Sequence, residues 1–148
     1  MGYNPWDDLA SRPHLTYVRT RLPLADAWYL PDIPGIAIDD RLTRVERRCA
    51  LAHELAHIDL GHHEQLAGCG RGTARLARRR EVQADGLAAR RLVRLDDLIA
   101  ARRAYDCPWL VAEHLDVTEH MLRVRIDQMY GGEIAVVRRG LAEQETHA

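Results

Sequence analysis

Two histidines four residues apart, with a glutamate directly after the first, are the side chains best equipped for chemistry in this chain: His53-Glu54-Leu55-Ala56-His57. Neutral imidazole is a ligand for metals such as zinc, and on an α-helix residues i and i+4 lie on one face about one turn apart. Both rings can therefore reach the same ion. Glu54 projects about 100° around the axis from His53, which makes it a poor third ligand and a well-placed general base for a water at the metal. Five residues of this kind arise by chance often enough that a second element is needed.

A catalytic zinc ordinarily has three protein ligands and keeps one position open. Glu81 and Asp85, again four apart, occupy a stretch in which Ala84, Ala88 and Leu92 mark an inward-packing helix face. A carboxylate on such a face needs a partner to offset its lost hydration, and a metal ion is one. Glu81 is therefore the expected third ligand. Asp85, one turn on, is expected to accept the remaining N–H of a ligand histidine and so fix its tautomer. Two other readings stand beside this one: Glu81 and Asp85 as surface partners of Arg78 and nearby arginines in helical charge pairs, or His62 or His63 as third ligand. One Zn2+ per chain is the expected cofactor by precedent, since two histidines and a carboxylate also accept manganese.

These side chains require two helices held side by side. Thr43-Arg44-Val45-Glu46 reads as a capping box that starts a helix running from about 44 to about 60, with Val45, Cys49, Ala52 and Ala56 as its apolar stripe and Gly61 as its terminator. Residues 62–73 are glycine-rich and aperiodic, hence an expected loop, and a second long helix is expected over 74–94. Upstream, the alternation over 15–22 and the short runs at 27–30 and 35–39 predict a sheet of about three strands. Downstream, helices are expected at 96–105, at 108–115 with Pro108 in the first turn, and at 118–129 after Thr118 as N-cap. The Gly131-Gly132 pair is expected to end the regular part, with 134–137 a short strand before a frayed tail.

The fold class is thus α+β, mainly helical with a small N-terminal sheet. The 148 residues, 47% of them hydrophobic, suffice for the core of one domain spanning 1–148, divided into a strand-rich 15–42, metal-site helices in 43–94, a helical 95–130 and a tail at 131–148. A formal charge of -1 supplies no global field to recruit nucleic acid or a membrane surface. No segment approaches the roughly 18 apolar residues of a membrane span, and the N-terminus has neither a basic start nor an apolar run, so a cytoplasmic protein is expected. Met1-Gly2 invites myristoylation, but Asp7 and Asp8 follow and no basic cluster supplies a second anchor. Cys49, Cys69 and Cys107 are odd in number and form no C-x-x-C pair, which argues for reduced thiols and against a cysteine-type zinc ribbon.

Together, HELAHIDLGH at 53–62 and EVQADGLAARRLV at 81–93 resemble the ImmA/IrrE family of metallopeptidases, whose pattern is H-E-x-x-H followed by E-x-x-A-D on the next helix. The resemblance covers roughly residues 15–130 and implies a zincin-like domain with a gluzincin, thermolysin-like active site. Carried over residue by residue, His53, His57 and Glu81 match its zinc ligands and Glu54 its catalytic glutamate. It further implies a substrate: members cleave a helix-turn-helix transcriptional repressor, often encoded beside them in mobile elements or stress-response loci. The chain is short of the long C-terminal extension that some members carry, so no separate sensing domain is expected. In the mechanism this implies, zinc lowers the pKa of a bound water from about 15.7 toward about 7, and Glu54 takes its proton during attack on a peptide carbonyl and returns it to the leaving amine. Tyr17, Tyr29, Tyr105 and His114 are unranked candidates for stabilising the oxyanion.

A second feature competes. Across 110–126, Val111, Ala112, Leu115, Val117, Leu122 and Ile126 fall at the offsets of a helix-turn-helix, though its second helix sets Glu119 and Asp127 against Arg123 and Arg125. Arg75, Arg78, Arg79, Arg80, Arg90, Arg91 and Arg94 make the preceding long helix basic, suiting an acidic partner, a nucleic-acid backbone or simply solvent. The alternative to a peptidase is therefore a non-catalytic DNA-binding or adaptor regulator with a structural metal site. Four protein ligands would favour that reading; three, with Glu54 beside them, favour the enzyme.

Overall fold

The computed structural model describes residues 2–30, 33–62 and 71–145. A short helix α1 (Pro5–Ala10) precedes strands β1 (Thr16–Thr20), β2 (Ala27–Leu30) and β3 (Gly35–Asp39); then come α2 (Arg44–Asp59), α3 (Arg71–Leu92), α4 (Leu95–Ala104), α5 (Pro108–His114), α6 (Glu119–Asp127) and α7 (Gly131–Glu145). The architecture is α+β and mainly helical, as expected. Helix α1 was not expected, although its signals are present: the Asn4 side chain accepts from the Trp6 N–H, Pro5 stands in the first turn, and Asp7 and Asp8 face the positive end of the helix dipole.

Strand β3 lies in the middle of the sheet, parallel to β1 on one side and antiparallel to β2 on the other. All five of its residues are buried. At its start a Cβ on Gly35 would lie 2.9 Å from the Thr16 carbonyl oxygen, so the close approach of β1 requires glycine there. Strand β1 is shorter than the expected 15–22: Leu22 leaves the sheet and its N–H donates to the Asp39 carboxylate at 2.9 Å.

Helix α2 is the hub. Its capping box forms as expected, Thr43 Oγ1 accepting from the Glu46 N–H and the Glu46 carboxylate accepting from the Thr43 N–H at 2.8 Å. Leu51 and Leu55 pack with Ile36 and Ile38 of the sheet, while Cys49, Ala52 and Ala56 meet Ala84 and Ala88 of α3. Alanines on both sides of that second contact let the two helices approach closely. His53 and His57 project from a third face. The helix ends at Gly61, whose φ of 67° lets the His62 N–H donate to the His57 carbonyl at 2.9 Å.

Helix α3 starts at Arg71 and ends at Leu92, where 74 and 94 were expected. Gly72 and Thr73 look like loop by composition, yet propagation adds a hydrogen bond per residue and carries the helix through them. It stops because Arg94 turns extended to cap α4. His63, a candidate third ligand, and Cys69 lie outside the described residues. Helices α4, α5 and α6 match expectation to within about two residues.

The tail corrects the expectation. In place of a short strand and a frayed end, α7 runs through Gly131 and Gly132 to Glu145. Glu133, Val137, Gly140 and Leu141, the less exposed positions, recur at helical spacing, and α7 packs along α4 so closely that a Cβ on Gly140 would meet Ile99 at 2.8 Å. The four-residue run Ile134-Ala135-Val136-Val137 looks β-like only when read without its neighbours.

The α5–α6 corner is tied to α2: Arg44 pairs with the Asp116 carboxylate and Arg48 donates to the Asp116 carbonyl at 2.7 Å. Helix α6 packs on α3, and its Arg125 is buried, leaving the would-be recognition helix with Arg123 as its exposed arginine. No described helix is long and apolar enough to cross a membrane.

Candidate active site

His53 and His57 of α2 and Glu81 of α3 bring one ligand atom each to within 4.8 Å of the others. The two Nε2 atoms are 2.9 Å apart, and the two Glu81 carboxylate oxygens lie 3.3 Å from His53 Nε2 and 3.3 Å from His57 Nε2. Ligands about 2.0–2.2 Å from a tetrahedral zinc are about 3.3–3.6 Å apart. The two histidine–glutamate distances fall at that spacing and the histidine pair is slightly tighter, so the donor set fits a metal of this kind. Both Glu81 oxygens face the imidazoles and not Arg78. Glu81 is not, however, on a buried face. Its side chain is 60% exposed at the rim of the site, so lost hydration is not what holds it there.

Both histidines are also held from behind. Asp85 Oδ1 lies 2.8 Å from His53 Nδ1, the contact expected of it, and its Oδ2 lies 3.5 Å from His120 Nε2. His62 is not a member of the three-donor cluster: its Nδ1 lies 3.0 Å from Nδ1 of His57, opposite the nitrogen that faces Glu81. The left-handed turn at Gly61 is what swings His62 back over the end of α2.

Residues 12–127 match the family described as the IrrE N-terminal-like domain, a family of peptidases. The chain belongs to this family. Membership supports a metallopeptidase-type function, and the cluster just described is where a metal fits. No curated protein matches the chain.

In this IrrE-like domain the charges around the cluster favour a cation. Burial disfavours a charge on His53, but the Asp85 and Glu81 carboxylates beside it prevail and push its pKa up to about 10. Burial, together with the charge on His53, holds His57 below the ordinary imidazole value. Burial raises the Glu54 carboxyl above its usual range, a shift that His53 opposes and Glu81 reinforces. The carboxylates of Glu81 and Asp85 that favour a charge on His53 would favour a divalent ion at the same place.

The cluster borders a cavity of about 730 Å³ walled by Trp28, Cys49, Glu54, Thr118, His120 and Met121, among others. None of the four oxyanion candidates lines it: Tyr17 packs edge-on against Trp6 at 5.3 Å, Tyr105 lies against His114 at 5.3 Å, and Tyr29 sits in strand β2. His120 does line it, and sequence reasoning passed over it as one more residue of a helix-turn-helix. Its only signal is its place just after the Thr118 cap.

Proposed function

We propose that the chain is a zinc-dependent endopeptidase that relieves repression in the cytoplasm by cutting a helix-turn-helix transcriptional repressor. The observation that carries the catalytic part is the cluster of three donors, His53, His57 and Glu81, with buried Glu54 one residue from the first. Three donors among the described residues leave a fourth position for water, which supports the enzyme over a structural site. The repressor as substrate is supported by the family resemblance. Edge strand β2, whose Trp28 borders the cavity, suits an extended peptide that pairs with it.

His53 and His57 would hold the ion through Nε2 and Glu81 through its carboxylate. Bound Zn2+ supplies Lewis acidity and an acidified water at neutral pH. Glu54 takes the proton of the attacking water at a carboxylate oxygen and delivers it to the amine as the C–N bond breaks. Asp85 keeps the proton of His53 on Nδ1, leaving the Nε2 lone pair for the ion.

The test is zinc content by mass spectrometry, together with cleavage of the repressor encoded nearest the gene, for wild type and Glu81→Ala. Near-stoichiometric zinc and cleavage that a chelator abolishes are expected of wild type, with both lost in Glu81→Ala. Full zinc in Glu81→Ala would remove the third ligand. Intact repressor beside zinc-loaded wild type would overturn the substrate. Asp85→Asn is expected to keep the fold and weaken zinc binding by about 10–100-fold in a competition titration with a chromogenic chelator; unchanged affinity would mean that His53 needs no orienting partner.

A further inference from the structure

We infer that His120 donates the hydrogen bond that stabilises the developing oxyanion, an assignment that rests on the peptidase reading above. His120 shares the cavity wall with Glu54, His53 and Glu81, whereas Tyr17, Tyr29, Tyr105 and His114 do not. One carboxylate links it to the metal cluster: Asp85 Oδ1 holds His53 Nδ1 at 2.8 Å, and Asp85 Oδ2 lies 3.5 Å from His120 Nε2. The backbone beneath it is anchored. Thr118 caps α6 by accepting from the Met121 N–H, and Met121 and Leu122 are buried, while the His120 side chain is 67% exposed. An exposed side chain on a fixed first turn can meet a substrate without paying for an ordered backbone.

The chemistry follows from the two nitrogens. Of the two ring nitrogens of His120, Nε2 faces Asp85 at 3.5 Å, and Nδ1 is the one left to present an N–H to the substrate. When the water oxygen bonds to the carbonyl carbon, Glu54 takes the water proton and the C=O π pair moves onto oxygen, where Nδ1–H donates to it. When the C–N bond breaks, that pair returns to re-form the carbonyl, the Glu54 proton goes to the departing nitrogen, and the Nδ1 proton stays on His120. A donor of this kind acts more strongly on the transition state than on the ground state, so its loss lowers kcat more than it raises KM.

Two probes separate this role from the metal site beneath it: acetohydroxamate, which reports the ion, and N-phosphoryl-leucinamide, whose tetrahedral phosphoryl oxygens copy the oxyanion. Both affinities are measured by calorimetry, with zinc content, on zinc-loaded wild type, His120→Ala and His120→Gln. We expect all three proteins to hold zinc and to bind acetohydroxamate alike. The phosphoryl probe is expected to bind His120→Ala about 10–100-fold more weakly than wild type, with partial recovery in His120→Gln, which restores a neutral donor. Repressor cleavage by His120→Ala is expected to fall about 100–1,000-fold in kcat with little change in KM. Equal binding of the phosphoryl probe by wild type and His120→Ala, both holding zinc, overturns the assignment of His120 and leaves the peptidase reading standing. A wild type that binds neither zinc nor acetohydroxamate overturns the reading on which it rests.

Discussion

Removing one carboxylate from the C-terminal helix, in Glu133→Ala, is expected to destabilise the chain by about 3 kcal/mol. The Arg125 and Glu133 side chains are 3% and 9% exposed, and the guanidinium meets the carboxylate in a fork, at 2.7 Å through Nη2 and 3.2 Å through Nη1. Its Nε donates to the Val93 carbonyl at 3.0 Å, so one arginine joins the end of α3 to α6 and α7. Without Glu133 the guanidinium keeps that single carbonyl and loses its counter-charge in a place water does not reach. Urea unfolding followed by circular dichroism gives the difference. A loss under about 1 kcal/mol would show that the pair is solvated in practice. The double variant Arg125→Met, Glu133→Leu is expected to recover most of the loss, because it removes both charges together.

The same pair gives a pH dependence of known sign. The Arg125 guanidinium holds the Glu133 carboxyl below its ordinary range. A folded-state pKa below the unfolded value of about 4.3 gives stability that is present above that value and lost as pH falls through the folded pKa. The gap between wild type and Glu133→Gln is therefore expected to narrow as pH drops below about 4, and to stay constant from there to neutrality.

Elements whose determinants are local could be read from the residues. Helix α2 carries its capping box, its stripe and its terminating glycine within its own span, and β2 and β3 fall on the expected residues. What sequence missed depends on partners far along the chain. Helix α7 is stabilised by Arg125 and by packing on α4, neither visible in a glycine pair followed by β-branched residues. The site divides in the same way. His53, Glu54 and His57 are spaced by one helix, but Glu81, which the structure brings beside them, was expected there from a premise, burial, that the structure reverses. His62 as a contact to His57 depends on one left-handed dihedral at Gly61, and His120 reaches the site only because α6 packs on α3 beside Asp85.

Changing Glu54 to glutamine is expected to cut peptide hydrolysis by about 100–10,000-fold while leaving zinc content at the wild-type level. Glu54 is 9% exposed, borders the cavity and has no hydrogen-bond partner among the described residues, so its carboxylate is free to receive a proton. Glutamine matches it in size and keeps the packing of α2 against the sheet, but cannot accept and return a proton. Glu54→Asp retains the chemistry and withdraws the carboxylate by about one methylene; a displacement near 1 Å costs on the order of 100-fold, so this variant should fall between the other two. The three activities, read with zinc content, separate the possible roles. Zinc lost in Glu54→Gln would make Glu54 a ligand. Cleavage surviving at the wild-type rate would remove Glu54 as the base. Glu54→Asp no better than Glu54→Gln would mean that reach matters as much as proton affinity, and would overturn the expected order.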